Sequence, residues 1–162
     1  MIEASVQWLL NLLAVPEVGL LSVFIISLIS ATLLPMGSEP VVFAVIKANA
    51  ALFWPTILVA TAGNTIGGVI NYWMGVGAKR IFAKEQQTRW FAWLRRFGPK
   101  TMLLAWLPVI GDPICLLGGW LKLPFWLCVA YMAIGKFLRY VTITWLLLYV
   151  PDGFWQYLIK LF

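Results

Sequence analysis

The sequence has no histidine, two cysteines and six acidic residues in 162 positions. Without histidine there is no HExxH zinc site, no Ser-His-Asp triad and no histidine-dependent lipid phosphatase chemistry. Cys115 and Cys128 lie in apolar runs without CxxC spacing, as buried structural thiols do, so the redox compartment is not legible from them. Charge is scarce: 11% of residues are charged, against about a quarter in ordinary globular domains. With 62% of residues hydrophobic, the chain cannot clothe itself in polar surface, which excludes a soluble domain and a disordered segment. Glycine and cysteine are too few for collagen-like or disulfide-rich secreted classes. No cofactor-binding or metal-ligating pattern is present, and none is expected. What remains is an all-α integral membrane protein, a single unit over residues 1–162.

Residues 1–14 carry a short apolar pattern (Val6, Leu9, Leu10, Leu13) that ends at Pro16-Glu17. Glu3 and the lack of an A-x-A site argue against a cleavable signal peptide. Residues 18–34 are apolar and reach about 25 Å as a helix, close to the hydrocarbon thickness. They stop at the run P-M-G-S-E-P, in which Pro35, Gly37 and Pro40 are the expected break. Residues 40–49 then form a limb of only about 15 Å, which reads as the return arm of a re-entrant hairpin. Residues 53–76 are long enough to span. Gly63, Gly67, Asn71 and Gly75 recur every four residues on this span, a small-residue ridge for close helix packing that also permits a homodimer.

Residues 79–100 hold seven of the twelve Lys and Arg against one acid, Glu85. Trp90, Trp93, Leu94 and Phe97 fall on helical spacing, with Arg89, Arg95, Arg96 and Lys100 around them. This pattern predicts an amphipathic helix on the membrane surface, ended by Gly98-Pro99. In so apolar a chain the positive-inside rule explains the charge, so no nucleic acid partner is expected and the segment is assigned to the cytoplasm. Residues 101–107 form another short limb, broken at Pro108, Gly111 and Pro113. Residues 114–121 form its return arm. Residues 125–150 are the last span, followed by an aromatic tail.

The two breaks share the frame Pro-x-x-x-acid-Pro, with Glu39 and Asp112 as the acids. Each is followed by a half-length limb and a full span. The cytoplasmic assignment of the basic segment makes the first hairpin open outward and the second inward. The expected architecture is therefore an inverted repeat of two re-entrant hairpins entering from opposite faces, over about residues 18–76 and 101–150. Four charges would lie at membrane depth: Glu39, Asp112, Lys136 and Arg139. Each would cost about 2.5–3.5 kcal/mol if it faced lipid. Lys136 and Arg139 share one helical face, and pairing with the two acids is the least costly arrangement. Such a cluster either holds the bundle or lines a polar cleft. In a cleft, Glu39 or Asp112 carries a proton while Lys136 and Arg139 hold an anionic headgroup, aided by the N-termini of the return arms.

The ordered series G-N-T-I-G-G-V-I-N-Y-W-M-G, R-x-F-G-x-x-x-x-L-L-x-W-L-P, L-x-G-G-W and G-K-x-L-R-Y, with the acid-Pro hairpin, resembles the DedA family of VTT-domain membrane proteins. The likeness covers roughly residues 20–145. It implies a bacterial inner-membrane protein with two facing re-entrant loops that moves lipids, including polyprenyl phosphate carriers, in a manner dependent on the proton-motive force. It implies that Glu39 is the first-loop acid, that Gly67 and Gly75 are glycines of the following span, and that Pro108 is the second-loop proline. The second loop departs from the family pattern R-F-I-P-x-x-R, because Ala105 and Gly111 stand where the arginines belong. Lys136 and Arg139 are then the candidates for the missing positive charge.

The leading reading is a transporter or scramblase of an anionic lipid, with protons as the coupling ion. A proton-coupled transporter of small ions or solutes, and a non-transporting factor for envelope integrity, are the alternatives. No enzyme is expected: Gly111-Asp112 makes only half of a GxGD protease motif, since Val109 replaces the preceding glycine.

Overall fold

The structure is a computed structural model that describes residues 15–32, 37–81, 94–107 and 110–149. The secondary-structure elements among the described residues are all helices. Helix α1 covers Pro16–Thr32, α2 Glu39–Ala48, α3 Phe53–Ile81, α4 Gly111–Trp120 and α5 Phe125–Tyr149. A 3₁₀ turn at Ala50–Leu52 joins α2 to α3, and a 3₁₀ segment at Gly98–Trp106 precedes α4. Helices α3 and α5 are long and apolar enough to cross a membrane. Helices α2 and α4 each have ten residues, about 15 Å, or half that distance.

Several boundaries differ from the sequence reading, for local reasons. The limb expected over 101–107 is a 3₁₀ helix that begins at Gly98. The arm expected from Ile114 begins at Gly111, so Gly111 and Pro113 are helical rather than part of a break. Pro40 likewise lies in the first turn of α2. Proline is tolerated there because a first-turn N–H has no intrahelical acceptor to lose. Each acid-Pro pair therefore opens a helix: the proline removes an orphan donor, and the carboxylate meets the positive end of the helix dipole. Of the expected break residues, Gly37 remains outside helix, and Pro35 and Pro108 lie outside the described residues. So do residues 1–14, Arg89 with most of the basic segment, and the tail from residue 150. The end of that segment is described. Leu94 is buried, Arg95, Arg96 and Lys100 are exposed, and Gly98 adopts φ +57, which ends the helical turn.

The small-residue ridge serves two neighbours within the chain. A Cβ at Gly63 would sit 2.7 Å from the Phe24 carbonyl oxygen of α1, and one at Gly67 would press on Ala31. Asn71 Nδ2 donates to the Ala31 carbonyl at 2.7 Å. Gly75 instead faces α4, where a Cβ would collide with the Leu116 carbonyl. The ridge is thus occupied by α1 and α4, and a second copy of the chain would have to pair through another face.

Two apolar cores flank a polar layer. One joins Val23 of α1, Val42, Val45 and Ile46 of α2, Ile57 and Ala60 of α3, and Tyr140 of α5. The other joins Tyr72 of α3, Met102 and Ala105, Ile114 and Cys115 of α4, and Cys128 and Met132 of α5. Each core uses one half of α3 and the opposite half of α5. Exposed tryptophans stand at two levels on each of these helices: Trp54 and Trp73 on α3, Trp126 and Trp145 on α5. Within each helix the two tryptophans are about 28 Å apart, near the hydrocarbon thickness of about 30 Å. Trp73 packs on Phe125 at 5.7 Å, and Phe125 on Trp126 at 5.2 Å, so one aromatic belt joins the second half of α3 to the start of α5. Asn64 and Lys136 fall midway between the belts.

Candidate functional site

The polar layer is built on α5. Lys136, Arg139 and Tyr140 stand at i, i+3 and i+4 and share one face. The first turn of α2 brings Glu39 to this face, and the first turn of α4 brings Asp112. Arg139 Nη2 donates to Glu39 Oε1. Lys136 Nζ lies 3.4 Å from Asp112 Oδ1 and donates to the backbone carbonyl oxygen of Asn64 at 2.5 Å. The four charges thus form two ion pairs, one helical turn apart on α5.

The pairs are not equivalent. In the looser pair Lys136 is 1% exposed and Asp112 35%. In the tighter pair Arg139 is 11% exposed and Glu39 16%. Arg139 Nε is buried and has no acceptor among the described residues. The guanidinium therefore keeps a donor uncommitted, where a buried unsatisfied donor costs about 1–3 kcal/mol.

Two glycines make room for these charges. A Cβ on Gly68 would sit 3.0 Å from Lys136 Nζ and collide with Met132 Sδ, so the bare backbone at Gly68 lets the ammonium reach α3. A Cβ on Gly37 would overlap the Glu39 carboxylate, which folds back over the break.

Beside the ion pairs lies a hydroxyl cluster that the sequence reading missed. Ser38 Oγ and the Tyr140 hydroxyl are 2.6 Å apart. Ser27 Oγ donates to Ser38 at 3.1 Å, and Asn64 Nδ2 donates to Tyr140 at 2.8 Å. These links tie α1, α2, α3 and α5 at one depth. The signal was an amide in an apolar span: a buried Asn must find partners when no water is near. Ridge counting passed over Asn64 because the four-residue period runs through its neighbour Gly63.

Residues 7–149 match the family described as VTT domain. The chain is 40% identical over 129 residues to inner membrane protein YqaA of Escherichia coli (strain K12), covering 77% of this chain and 88% of that protein. The same figures hold for inner membrane protein YqaA of Shigella flexneri. An uncharacterized protein of Haemophilus influenzae is 37% identical over 131 residues, covering 76% of this chain and 83% of its own length. No solved structure matches the chain.

Proposed function

Since this chain belongs to the VTT-domain (DedA) family and is an inner membrane protein, we propose that it carries an anionic lipid across the bilayer. In this reading Lys136 and Arg139 hold the headgroup while Glu39 and Asp112 exchange protons. One observation carries it: two basic side chains sit halfway along α5, each opposed by a carboxylate on the first turn of a half-length helix. Buried ion pairs stabilise a bundle no better than apolar packing of similar volume. Four charges kept at mid-depth therefore favour a use beyond stability. Guanidinium offers phosphate a planar fork of donors, and the uncommitted Nε of Arg139 is such a donor. Protonation of a carboxylate releases its basic partner to a phosphate oxygen, and the first-turn dipoles of α2 and α4 add to the attraction.

Two facing re-entrant hairpins related as an inverted repeat fit the same mechanism, because exchange of their conformations opens the site to either side. The sequence supports the repeat. The shift that lays Phe53-Trp54 on Phe125-Trp126 also lays Gly63 on Gly135, Asn64 on Lys136 and Trp73 on Trp145. The geometry supports it as well. Gly63 admits the Phe24 carbonyl of the preceding limb, and Gly135 admits the Leu103 carbonyl of the corresponding one. Asn64 and Lys136 are then corresponding positions that touch, as residues beside a pseudo-two-fold axis do. The basic segment over 79–100 faces the cytoplasm in this arrangement.

The test is mild detergent extraction followed by mass spectrometry of the retained lipid. The expected result is a phosphate-bearing lipid enriched over the bulk membrane, and lost from Arg139→Leu. Retention of bulk composition by the wild-type protein would overturn the reading.

A further inference from the structure

Asn64 touches the surroundings of both ion pairs with different atoms. Its backbone carbonyl accepts from Lys136 Nζ at 2.5 Å, and its side-chain amide donates to the Tyr140 hydroxyl at 2.8 Å. Tyr140 follows Arg139 in sequence, and Ser38 precedes Glu39. The Ser38–Tyr140 hydrogen bond and the Glu39–Arg139 ion pair are therefore adjacent rungs between the start of α2 and the same face of α5.

This linkage is not part of either helix's own hydrogen bonding. Ser38 occupies the N-cap of α2, where a serine hydroxyl ordinarily accepts from its own helix. Here it makes no cap bond and is engaged by Tyr140 and Ser27 instead. Ser38, Tyr140 and Lys136 are each 1% exposed and Asn64 is 6% exposed. No bulk water replaces a bond that breaks there, so the bonds move together or are lost at a cost.

We infer that Asn64 and Tyr140 are positioning residues that make the two ion pairs one cooperative anion site. An anionic oxygen that displaces Glu39 from Arg139 shifts the start of α2. Ser38 moves with it and draws on Tyr140, then on the Asn64 amide. Lys136 is held to the same residue of α3, and its 3.4 Å contact with Asp112 is the looser of the two pairs. It is therefore the contact that yields. The ligand finds both cations released after opening one pair. The inference rests on the anionic-lipid reading above and adds the coupling between the pairs.

The test is a double-mutant cycle on ligand binding. Wild-type protein, Glu39→Gln, Asp112→Asn and the double variant are purified in dodecyl maltoside and titrated with dodecyl phosphate. Each neutralisation frees a cation and should tighten binding. With coupling, each single variant already loosens both pairs, so the double variant falls short of the product of the singles by about fivefold or more. The same cycle on Tyr140→Phe should multiply to within about twofold. Asn64→Ala keeps the carbonyl on Lys136 and should abolish the shortfall too. It stands in for Tyr140→Phe if that variant does not fold. Multiplicative effects in the wild-type background, or an undiminished shortfall in the Tyr140→Phe or Asn64→Ala background, would overturn the coupling. Failure of the wild-type protein to bind dodecyl phosphate would overturn the anionic-lipid reading, and the coupling with it.

Discussion

Lys136 Nζ donates to the backbone carbonyl oxygen of Asn64 at 2.5 Å, a contact between the midpoints of the two long helices. The ammonium thus has a neutral acceptor in addition to Asp112, whereas Arg139 relies on Glu39 and keeps a buried Nε without an acceptor among the described residues.

The two acids should therefore differ in their importance for stability. Glu39→Gln leaves the guanidinium poorly compensated and should cost about 3–5 kcal/mol, the range for breaking a buried pair. Asp112→Asn removes a partly exposed partner from a lysine that retains Asn64, and should cost less than half as much. Thermal unfolding of the two variants in detergent checks the order. Equal losses, or a larger loss for Asp112→Asn, would contradict it.

Gly68 and Gly77 lie on the same helix and should respond in opposite directions to alanine. At Gly68 the new methyl meets Met132 Sδ and approaches Lys136 Nζ at 3.0 Å. A loss of about 1–3 kcal/mol is expected, the usual range for overpacking. At Gly77 nothing among the described residues lies within 4 Å of the added carbon. Gly77→Ala should stabilise by about 0.5–1 kcal/mol through helix propensity. Paired unfolding curves decide this.

Gly75→Ala and Gly119→Ala should be more damaging than Gly68→Ala. Their added methyls run into the backbone carbonyls of Leu116 and Tyr72, and a backbone carbonyl cannot rotate aside as a methionine can. Losses of about 3 kcal/mol or more are expected, since α3 and α4 must separate. Poor recovery of folded protein on size-exclusion chromatography is the readout. Normal recovery and stability of either variant would show that α3 and α4 do not approach so closely.

Topology has its own test. A single cysteine placed at Thr88, with Cys115 and Cys128 replaced, should resist a membrane-impermeant thiol reagent in intact cells and react after permeabilisation. Labelling in intact cells would reverse the proposed orientation of the chain in the membrane.

Much of the fold was legible in the sequence because lipid leaves few choices. The charge-poor runs long enough to cross became the helices α3 and α5. The helix starts were less legible. Pro40, Gly111 and Pro113 read as breakers from composition, yet proline and glycine at a first turn remove orphan donors or open space without ending anything. At the site, Glu39, Asp112, Lys136 and Arg139 stood out because charge in an apolar chain is conspicuous. Their division into a tight and a loose pair depends on how α2 and α4 are set against α5, which no local pattern encodes. Tyr140, Ser38 and Gly68 were passed over for a different reason. Tyrosine, serine and glycine are ordinary residues in a membrane helix, and only a long-range contact distinguishes these three. The correspondence of Phe53-Trp54 with Phe125-Trp126 was present in the letters, but it gained meaning once Asn64 and Lys136 were seen to touch.

The most direct measurement of the proposed transport role is the flux of a fluorescent anionic lipid through proteoliposomes containing wild-type protein or Arg139→Lys. The substitution keeps the positive charge beside Glu39 and removes the planar fork. Arg139→Lys should insert and unfold much like the wild-type protein, yet lose about nine-tenths or more of the flux, a rise of about 1.4 kcal/mol or more in the transport barrier. Full flux in that variant, or in a quadruple variant with Glu39, Asp112, Lys136 and Arg139 all replaced by neutral residues, would make the paired charges scaffolding rather than a lipid-binding site.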